Sequence, residues 1–388
     1  MKILILNYEY PPLGGGAGII TKHLAEAFAN TGHEISVITT WFEGLEELTF
    51  SGNLQIIRLK SKRQHIYRSS VLEMFSWIKK SRQFLKYYLK NHSFDVGFVN
   101  FAIPGGIVGL FIKKKFNIPF TIISHGHDIP WYCRKEMFWY HLFLYPYIKH
   151  ICLKSDINFV QQPDMKVNID KFTGDSMAHK NIIIPNGCDT KLFHPAAEKR
   201  NDMFHIVFAG RLVKQKAPFT FLKALVLLKE KNVPFKAHIC GDGVLKKKMQ
   251  KFTHQNKLEN DIEYLGWLNR NDLSVIYSTS HVFVQTSIHE AMSIAVMEAL
   301  SSGTYILCTD VGNNRDLITP GINGELIAFN SPEKLAEQLE NYYSDKFLNK
   351  YTIDKAAIEN FRNKWDWKNI APRYEKYFYD IIKAQDNP

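Results

Sequence analysis

Short apolar runs recur along this chain, and each is followed by a stretch with helical spacing. Lys2–Leu6 is apolar, a glycine-rich segment follows, and Ile19–Ala29 places its apolar residues on one helical face. Ile35–Thr39 is a β-branched run, and Val96–Asn100 and Phe120–Ser124 are short apolar segments of buried-strand type. Alternation of this kind predicts βαβ units around a parallel sheet. The pattern restarts at Phe204–Gly210 and recurs at Lys236–Gly241, Ile262–Leu265, His281–Gln285 and Tyr305–Cys308, with helices expected over Pro218–Lys231 and Glu290–Ser301. That is a second doubly wound domain.

Turn formers crowd Pro185–Pro195, so the join is expected there. The predicted layout is one Rossmann-like domain over 1–190, a second over 191–365, and a terminal helix over 366–388, where Ile370, Tyr374, Tyr377, Phe378 and Ile381 follow helical spacing. The expected fold class is therefore α/β, with two facing Rossmann-like doubly wound domains. Open α/β sheets bind ligands beyond the carboxyl ends of their strands, so chemistry is expected in a cleft between the two.

Composition narrows the class. A chain of 388 residues fits two ordinary cores, and 45% hydrophobic with 22% charged residues excludes a disordered protein. The five cysteines, Cys133, Cys152, Cys188, Cys240 and Cys308, form no CxxC pair, which argues against a zinc site or disulfide framework and for a reducing cytosol. The start Met1–Asn7 lacks the basic region and cleavage site of a secretion signal and reads as a first strand. The longest apolar segment, Phe98–Ile112, is interrupted by Asn100 and Pro104 and falls short of the ~20 residues needed to cross a bilayer. A soluble, cytoplasmic chain is expected.

The net charge of +11 is uneven. Between Gln55 and His92 stand ten basic residues (Arg58, Lys60, Lys62, Arg63, Arg68, Lys79, Lys80, Arg82, Lys86, Lys90) and one acid, Glu73, interleaved with aromatic and aliphatic side chains. A second aromatic run covers Phe138–Tyr147. Basic and aromatic residues together suit an anionic membrane surface. The competing interpretation is an amphipathic helix packed on its own domain. Nucleic acid ranks last, because no RNA-binding or zinc-finger signature accompanies the charge.

Four segments carry candidate chemistry. Glu290 and Glu298, at i and i+8 in an otherwise apolar stretch, lie near one face if the helix includes both. Paired hydroxyls of a sugar or ribose would satisfy such acids; the alternative is two solvated carboxylates. Pro11-Pro-Leu-Gly-Gly-Gly-Ala-Gly18 lies between the first strand and helix, where glycines admit a phosphate or sugar to the backbone. It lacks the third glycine of a dinucleotide fingerprint, and Val37–Thr40 ends without the ribose-binding acid. A mobile glycine loop is the alternative there. Arg211 and Lys216, just past the strand that opens the second domain, suit a diphosphate, or else form a solvated charge cluster. Ser124-His-Gly-His-Asp128 has no third metal ligand at a familiar spacing, so His125 reads as a hydrogen-bonding contact to a sugar or as a structural histidine.

Taken in order, the glycine loop, His125-Gly-x-Asp128, Pro185-Asn-Gly-x-Asp189, Gly210-Arg-Leu-x3-Lys216, Gly241-Asp-Gly243, Tyr264-Leu-Gly266, Glu290-x7-Glu298 and Asp310-Val-Gly312 closely resemble glycosyltransferase family 4 over most of the chain. The resemblance implies a GT-B fold and a retaining, hexosyltransferase-type enzyme (EC 2.4) that uses a UDP- or GDP-sugar as co-substrate, with no cofactor and no metal. It implies an acceptor domain first, a donor domain second, and a C-terminal helix that crosses back to the first. Arg211 and Lys216 would hold the donor diphosphate, aided by the amides of Gly15 and Gly16. Glu298 would take the ribose hydroxyls, Glu290 the donor sugar, and His125 would lie near the sugar C6 hydroxyl. Backbone at Tyr264, Leu265 and Gly266 would border the base, and Ala291, Met292, Ser293 and Ile294 would line the sugar.

The chain departs from the family pattern on the sugar side. Ala291-Met292-Ser293 replaces Gly-Phe-Gly, Asn313 and Asn314 follow Gly312 where glycine and proline are usual, and Ala217 replaces a glycine after the lysine. The expected activity is sugar transfer to a glycan or lipid-linked saccharide, in cell-surface polysaccharide or glycolipid synthesis, peripheral on the inner face of the cell membrane. The alternatives are a nucleotide-sugar epimerase of the same fold and a non-catalytic nucleotide-sugar-binding relative.

Overall fold

The computed structural model describes every residue except 67–68, 127, 132–133, 198–202, 350–352 and 387–388, with the backbone alone for 134–137 and 386. It divides into two compact units. One comprises 1–187 with 367–388, the other 188–366.

The first unit carries eight strands: β1 (Lys2–Leu6), β2 (Glu34–Thr40), β3 (Leu48–Ser51), β4 (Leu54–Leu59), β5 (Val96–Asn100), β6 (Phe120–Ile123), β7 (Ile157–Val160) and β8 (Asn181–Ile183). They lie in the order β3-β4-β2-β1-β5-β6-β7-β8. All neighbours are parallel except β3, which pairs antiparallel with β4 across a turn at Gly52. The central strands read as continuous apolar runs because parallel strands are buried on both faces, and Ile3, Leu4, Ile5 and Leu6 are all fully buried. The β3–β4 hairpin escaped the sequence pattern because β3 is a mostly exposed edge strand.

The helix Gly16–Asn30 packs against the terminal helix Trp367–Asp386, and Phe28 meets Tyr374 and Phe378 with ring centroids at 6.4 and 5.6 Å. Gly187 of the Pro-Asn-Gly motif has a packing role. A Cβ there would lie 2.5 Å from the indole of Trp367, which itself stacks on His23.

Two helices of this unit carry the charged and aromatic stretches. Val71–Tyr88 starts with a capping box between Ser70 and Glu73 and buries Trp77, Ile78 and Leu85 in the core, while Val71, Leu72, Phe75 and Tyr87 stay exposed. One expected patch residue is misplaced. Arg58 is buried in β4, donating to Glu46 O at 3.0 Å and Thr49 Oγ1 at 3.1 Å, because a central strand points alternate side chains inward. Arg68 and Cys133 fall outside the described residues. The helix Arg134–Lys154 exposes more aromatic surface: Phe138, Trp139, Leu142, Phe143 and Tyr147 are all exposed on it. Among the described residues no helix is long and apolar enough to cross a membrane.

The second unit carries β9 (Phe204–Ala209), β10 (Phe235–Cys240), β11 (Ile262–Gly266), β12 (Val282–Gln285), β13 (Tyr305–Thr309) and β14 (Gly324–Ile327), all parallel, in the order β11-β10-β9-β12-β13-β14. Its core gathers Phe204, Phe208, Phe221, Leu225 and Leu228 around Ile239, Val282 and Leu307. The helix after β12 corrects a sequence expectation. It spans Ile294–Ser301, not Glu290–Ser301. Ser293 is the N-cap: its Oγ accepts from Val296 N at 3.4 Å and from Gln285 Nε2 at 2.5 Å. Glu290 therefore sits in the preceding loop, and the two-turn helical relation to Glu298 does not exist.

Candidate active site

In the second unit, three loops at the carboxyl ends of β9, β10 and β11 are tied to one another. Gly210 N donates to Cys240 O at 2.9 Å, Leu212 N to Asp242 O at 2.9 Å, and Gly241 N to Gly266 O at 2.6 Å. The spacing requires glycine. A Cβ on Gly241 would fall 2.0 Å from Gly210 O, and one on Gly243 would fall 2.5 Å from Leu212 O. The Gly-Asp-Gly motif thus shapes the loop that presents Arg211.

That loop is fastened to the one after β12. Ile288 N donates to Gln215 O at 2.8 Å, Gln215 Nε2 to His289 O at 3.1 Å, and Thr286 Oγ1 to Lys216 O at 2.9 Å. The side chains follow the backbone. Lys216 is ion-paired with Glu290, whose Oε1 also accepts from Ser287 Oγ at 2.6 Å. Gly312 (φ +61°) packs beneath, since a Cβ there would lie 2.6 Å from Glu290 O. Arg211 is exposed, with Nη2 3.4 Å from Gln215 Oε1. Arg211, Lys216 and Glu290 are therefore brought together, by Gln215 and Ser287, neither of which the motif pattern singled out.

Glu298 belongs to a second cluster in the same unit. It is buried, and Arg270 Nη1 donates to its Oε1 at 2.8 Å. Burial pushes the Glu298 carboxyl up to about 7, against the pull of the Arg270 guanidinium. Arg270 in turn lies over the Phe193 ring at 4.9 Å. No sequence signal marked Arg270 or Phe193, because their partners are distant along the chain.

The remaining donor-side candidates fall as follows. Tyr264 is half-buried, and its hydroxyl sits 2.8 Å from Thr253 Oγ1, so only its backbone is left to border a ligand beside Leu265 and Gly266. Met292 and Ser293 are buried, while Ala291 and Ile294 are half-buried. Ser293 is committed to capping, so its hydroxyl is taken by the fold.

In the first unit, Gly15 caps the helix Gly16–Asn30 without any side-chain bond, and the Glu9 carboxylate lies 3.4 Å from Gly15 N. Gly14 (φ +89°) leaves no room for a Cβ, which would meet Glu9 at 2.5 Å. The helix terminus favours an anion, and Glu9 supplies one from the chain itself.

His125 follows β6. Its Nε2 lies 2.9 Å from Asn100 Oδ1, which also accepts from Thr21 Oγ1 at 2.9 Å, and Asn7 Nδ2 donates to that hydroxyl at 2.7 Å. An amide oxygen only accepts, so Nε2 donates and Nδ1 keeps the lone pair. Asp128 fixes the turn by accepting from His125 N at 2.9 Å and from Ala102 N at 3.0 Å. Burial lowers the imidazole to about 4, against the opposing pull of Asp128, so His125 is neutral at pH 7. A neutral, half-buried imidazole in a hydrogen-bond chain suits contact with a hydroxyl. Among the described residues, no group of three or more His, Cys, Asp or Glu is placed to hold a metal ion.

Comparison with known proteins fits this arrangement. Residues 14–192 match the model "Glycosyltransferase Family 4", and residues 189–360 match "Glycosyl transferases group 1". The chain is 28% identical to the Escherichia coli UDP-Gal:alpha-D-GlcNAc-diphosphoundecaprenol alpha-1,3-galactosyltransferase, over 97% of this chain and 95% of that one. Among solved structures it resembles sucrose-phosphate synthase from Thermosynechococcus elongatus, at TM-score 0.85 and 19% identity, covering 99% of this chain and all of that one. It also resembles Anabaena HepE in complex with UDP and glucose, at TM-score 0.75 and 17% identity, covering 97% and 98%. The chain belongs to the family 4 glycosyltransferases and has their GT-B fold.

Proposed function

We propose that the protein transfers a hexosyl group, with retention, from a UDP- or GDP-sugar to a hydroxyl of a glycan or lipid-linked saccharide, without a metal ion. The observation that carries this reading is the Lys216–Glu290–Ser287 cluster beside exposed Arg211. A diphosphate entering there offers Lys216 a stronger partner than Glu290 and releases that carboxylate to the sugar hydroxyls. The bond from the sugar anomeric carbon to the diphosphate breaks, and the acceptor oxygen bonds the same carbon from the same face. The acceptor proton passes to the departing diphosphate. Arg211 and Lys216 stabilise the charge that develops on the leaving group, and positioning supplies the rest. Neutral His125, with Nε2 donating to Asn100, accepts from a sugar hydroxyl at Nδ1 without adding charge.

HepE was solved with UDP and glucose, and the Escherichia coli relative is named for a diphosphoundecaprenol acceptor, which supports a nucleotide-sugar donor and a lipid-linked acceptor. The exposed aromatic face of the helix Arg134–Lys154 supports work at an anionic membrane surface, on its cytoplasmic side. A thermal-shift screen against UDP-, GDP-, ADP- and CMP-sugars tests the donor. A true donor at a hundredfold its Kd stabilises by ~2.7 kcal/mol, and a flat response to all of them refutes the reading. Incubation with that donor and no acceptor separates transfer from epimerisation, since only an epimerase converts the free nucleotide-sugar.

A further inference from the structure

We infer that Arg270 is a positioning residue, holding the Glu298 carboxylate charged and aimed so that it accepts from a vicinal diol, the ribose of the donor nucleotide. The inference rests on the nucleotide-sugar reading above.

The geometry begins with the helix Arg270–Thr279. Asn269 caps it by accepting from Asp272 N at 3.0 Å, and this fixes where the Arg270 side chain leaves the backbone. The guanidinium is held on two sides. One face lies 4.9 Å from the centre of the fully buried Phe193 ring, and Nη1 reaches Glu298 Oε1 at 2.8 Å. Phe193 is tied to the helix that carries Glu298, because Ser301 Oγ donates to Phe193 O at 2.5 Å. Carboxylate, guanidinium and supporting ring therefore share one frame.

The carboxylate is short of donors. Among the described residues only Arg270 donates to Glu298, at Oε1, and nothing donates to Oε2. A buried ionised carboxylate with a single hydrogen bond is under-satisfied. Two adjacent hydroxyls supply the missing donors, whereas an apolar or anionic group does not. The titratable groups around it are Arg270 and Tyr277 from the helix Arg270–Thr279, with Cys188 and Asp189 from the start of the unit. Arg270 is the sole cation among them, and burial favours the neutral acid. Removing it moves the protonation of Glu298 to higher pH and removes the charge a diol would bind.

The test uses the whole chain and calorimetric titration with UDP, GDP, ADP and CDP. The best binder is then compared with its 2′-deoxy counterpart between pH 6 and pH 9. The wild type is expected to prefer the ribonucleotide by about tenfold, the loss that follows from one hydrogen bond to a charged group. In Arg270→Met that preference collapses, the acid limb of binding moves to higher pH, and donor KM rises far more than kcat falls. Arg270→Lys keeps charge but loses the planar fork, and restores part of the preference. Glu298→Gln loses the preference at every pH and shows no acid limb. Circular dichroism checks folding; if Arg270→Met unfolds, Arg270→Lys and Glu298→Gln carry the comparison. A wild type that binds none of the four nucleotides overturns the donor reading itself. A wild type that prefers the ribonucleotide, with Arg270 variants that keep both the preference and the pH profile, overturns this inference alone.

Discussion

Lys216 and Glu290, 74 residues apart in sequence, are ion-paired in the loops that follow β9 and β12. Both side chains are mostly buried, so each is the charged partner that compensates the other's desolvation. Lys216→Met should lower kcat/KM by ~10²–10³, the magnitude seen when one stabilising donor is lost from a developing charge. It should also destabilise the fold by ~1–3 kcal/mol, because the mostly buried Glu290 carboxylate loses the cation paired with it. Steady-state kinetics and urea denaturation read the two effects separately. Full activity in this variant would contradict the role given to Lys216.

His125 makes a pH prediction of definite sign. Its folded value, about 4, lies below the ~6.5 of an unfolded histidine, so the unfolded chain binds the extra proton first. Its stabilising contribution is present above pH ~6.5 and is lost as the pH falls toward 4. The stability gap between wild type and His125→Gln should therefore narrow from pH 7.5 to pH 4.5 in thermal melts. A gap that stays constant would mean that the imidazole is not held neutral.

Glu298 has the opposite sign. Its folded value, about 7, lies above the ~4.3 of a free glutamate, so its contribution is fully present at pH 4 and is lost as the pH rises through 7. Glu298→Gln has no such titration. Relative to the wild type it should gain stability between pH 5 and pH 8, as read from melting midpoints across that range.

Much of the fold is legible in the sequence because parallel strands are buried on both faces. Their apolar runs, such as Ile3–Leu6 and Phe204–Phe208, stand out without any partner being known. The edge strand β3, with Phe50 exposed, leaves no such trace. The site is legible in part. Arg211, Lys216 and Glu290 converge, yet spacing alone suggested a helix through Glu290. That expectation failed because the capping preference of Ser293 and the pull of a lysine in a distant loop outweigh local periodicity. Arg270, Phe193 and Gln215 carry no local signal, since their partners lie far along the chain and only the fold assembles them.

Ala217 occupies the left-handed region at φ +43°, immediately before the helix Pro218–Glu230. A side chain there costs ~1–2 kcal/mol, and glycine avoids most of it while losing some entropy on folding. Ala217→Gly should thus raise the urea midpoint by the equivalent of ~0.5–1 kcal/mol. The neighbouring hydrogen bonds from Thr286 use only the backbone oxygens of Lys216 and Ala217, so donor KM should change little. A destabilised variant would show that the methyl group packs usefully enough to outweigh its backbone strain.

The helix Arg134–Lys154 exposes Trp139, Phe143 and Tyr147 by about two-thirds or more of their surface (68%, 72% and 66%), with Phe138 also exposed, while the helix Val71–Tyr88 buries Trp77, Ile78 and Leu85 and exposes only Phe75 and Tyr87 among its described aromatic residues. Binding to a bilayer should therefore depend on the aromatic helix more than on the basic one. Trp139→Ala with Phe143→Ala removes two large side chains worth ~1.5–3 kcal/mol each on full burial, enough to lower vesicle partitioning by at least tenfold. Co-sedimentation with vesicles containing anionic lipid measures this, and the wild type should bind less as salt rises, because lysines around the helix add an electrostatic share. Replacing Lys79 and Lys80 by Gln should reduce binding only modestly and mainly at low salt. Equal binding by the aromatic double variant would remove the helix Arg134–Lys154 from the membrane contact and leave the basic helix as the surface to test.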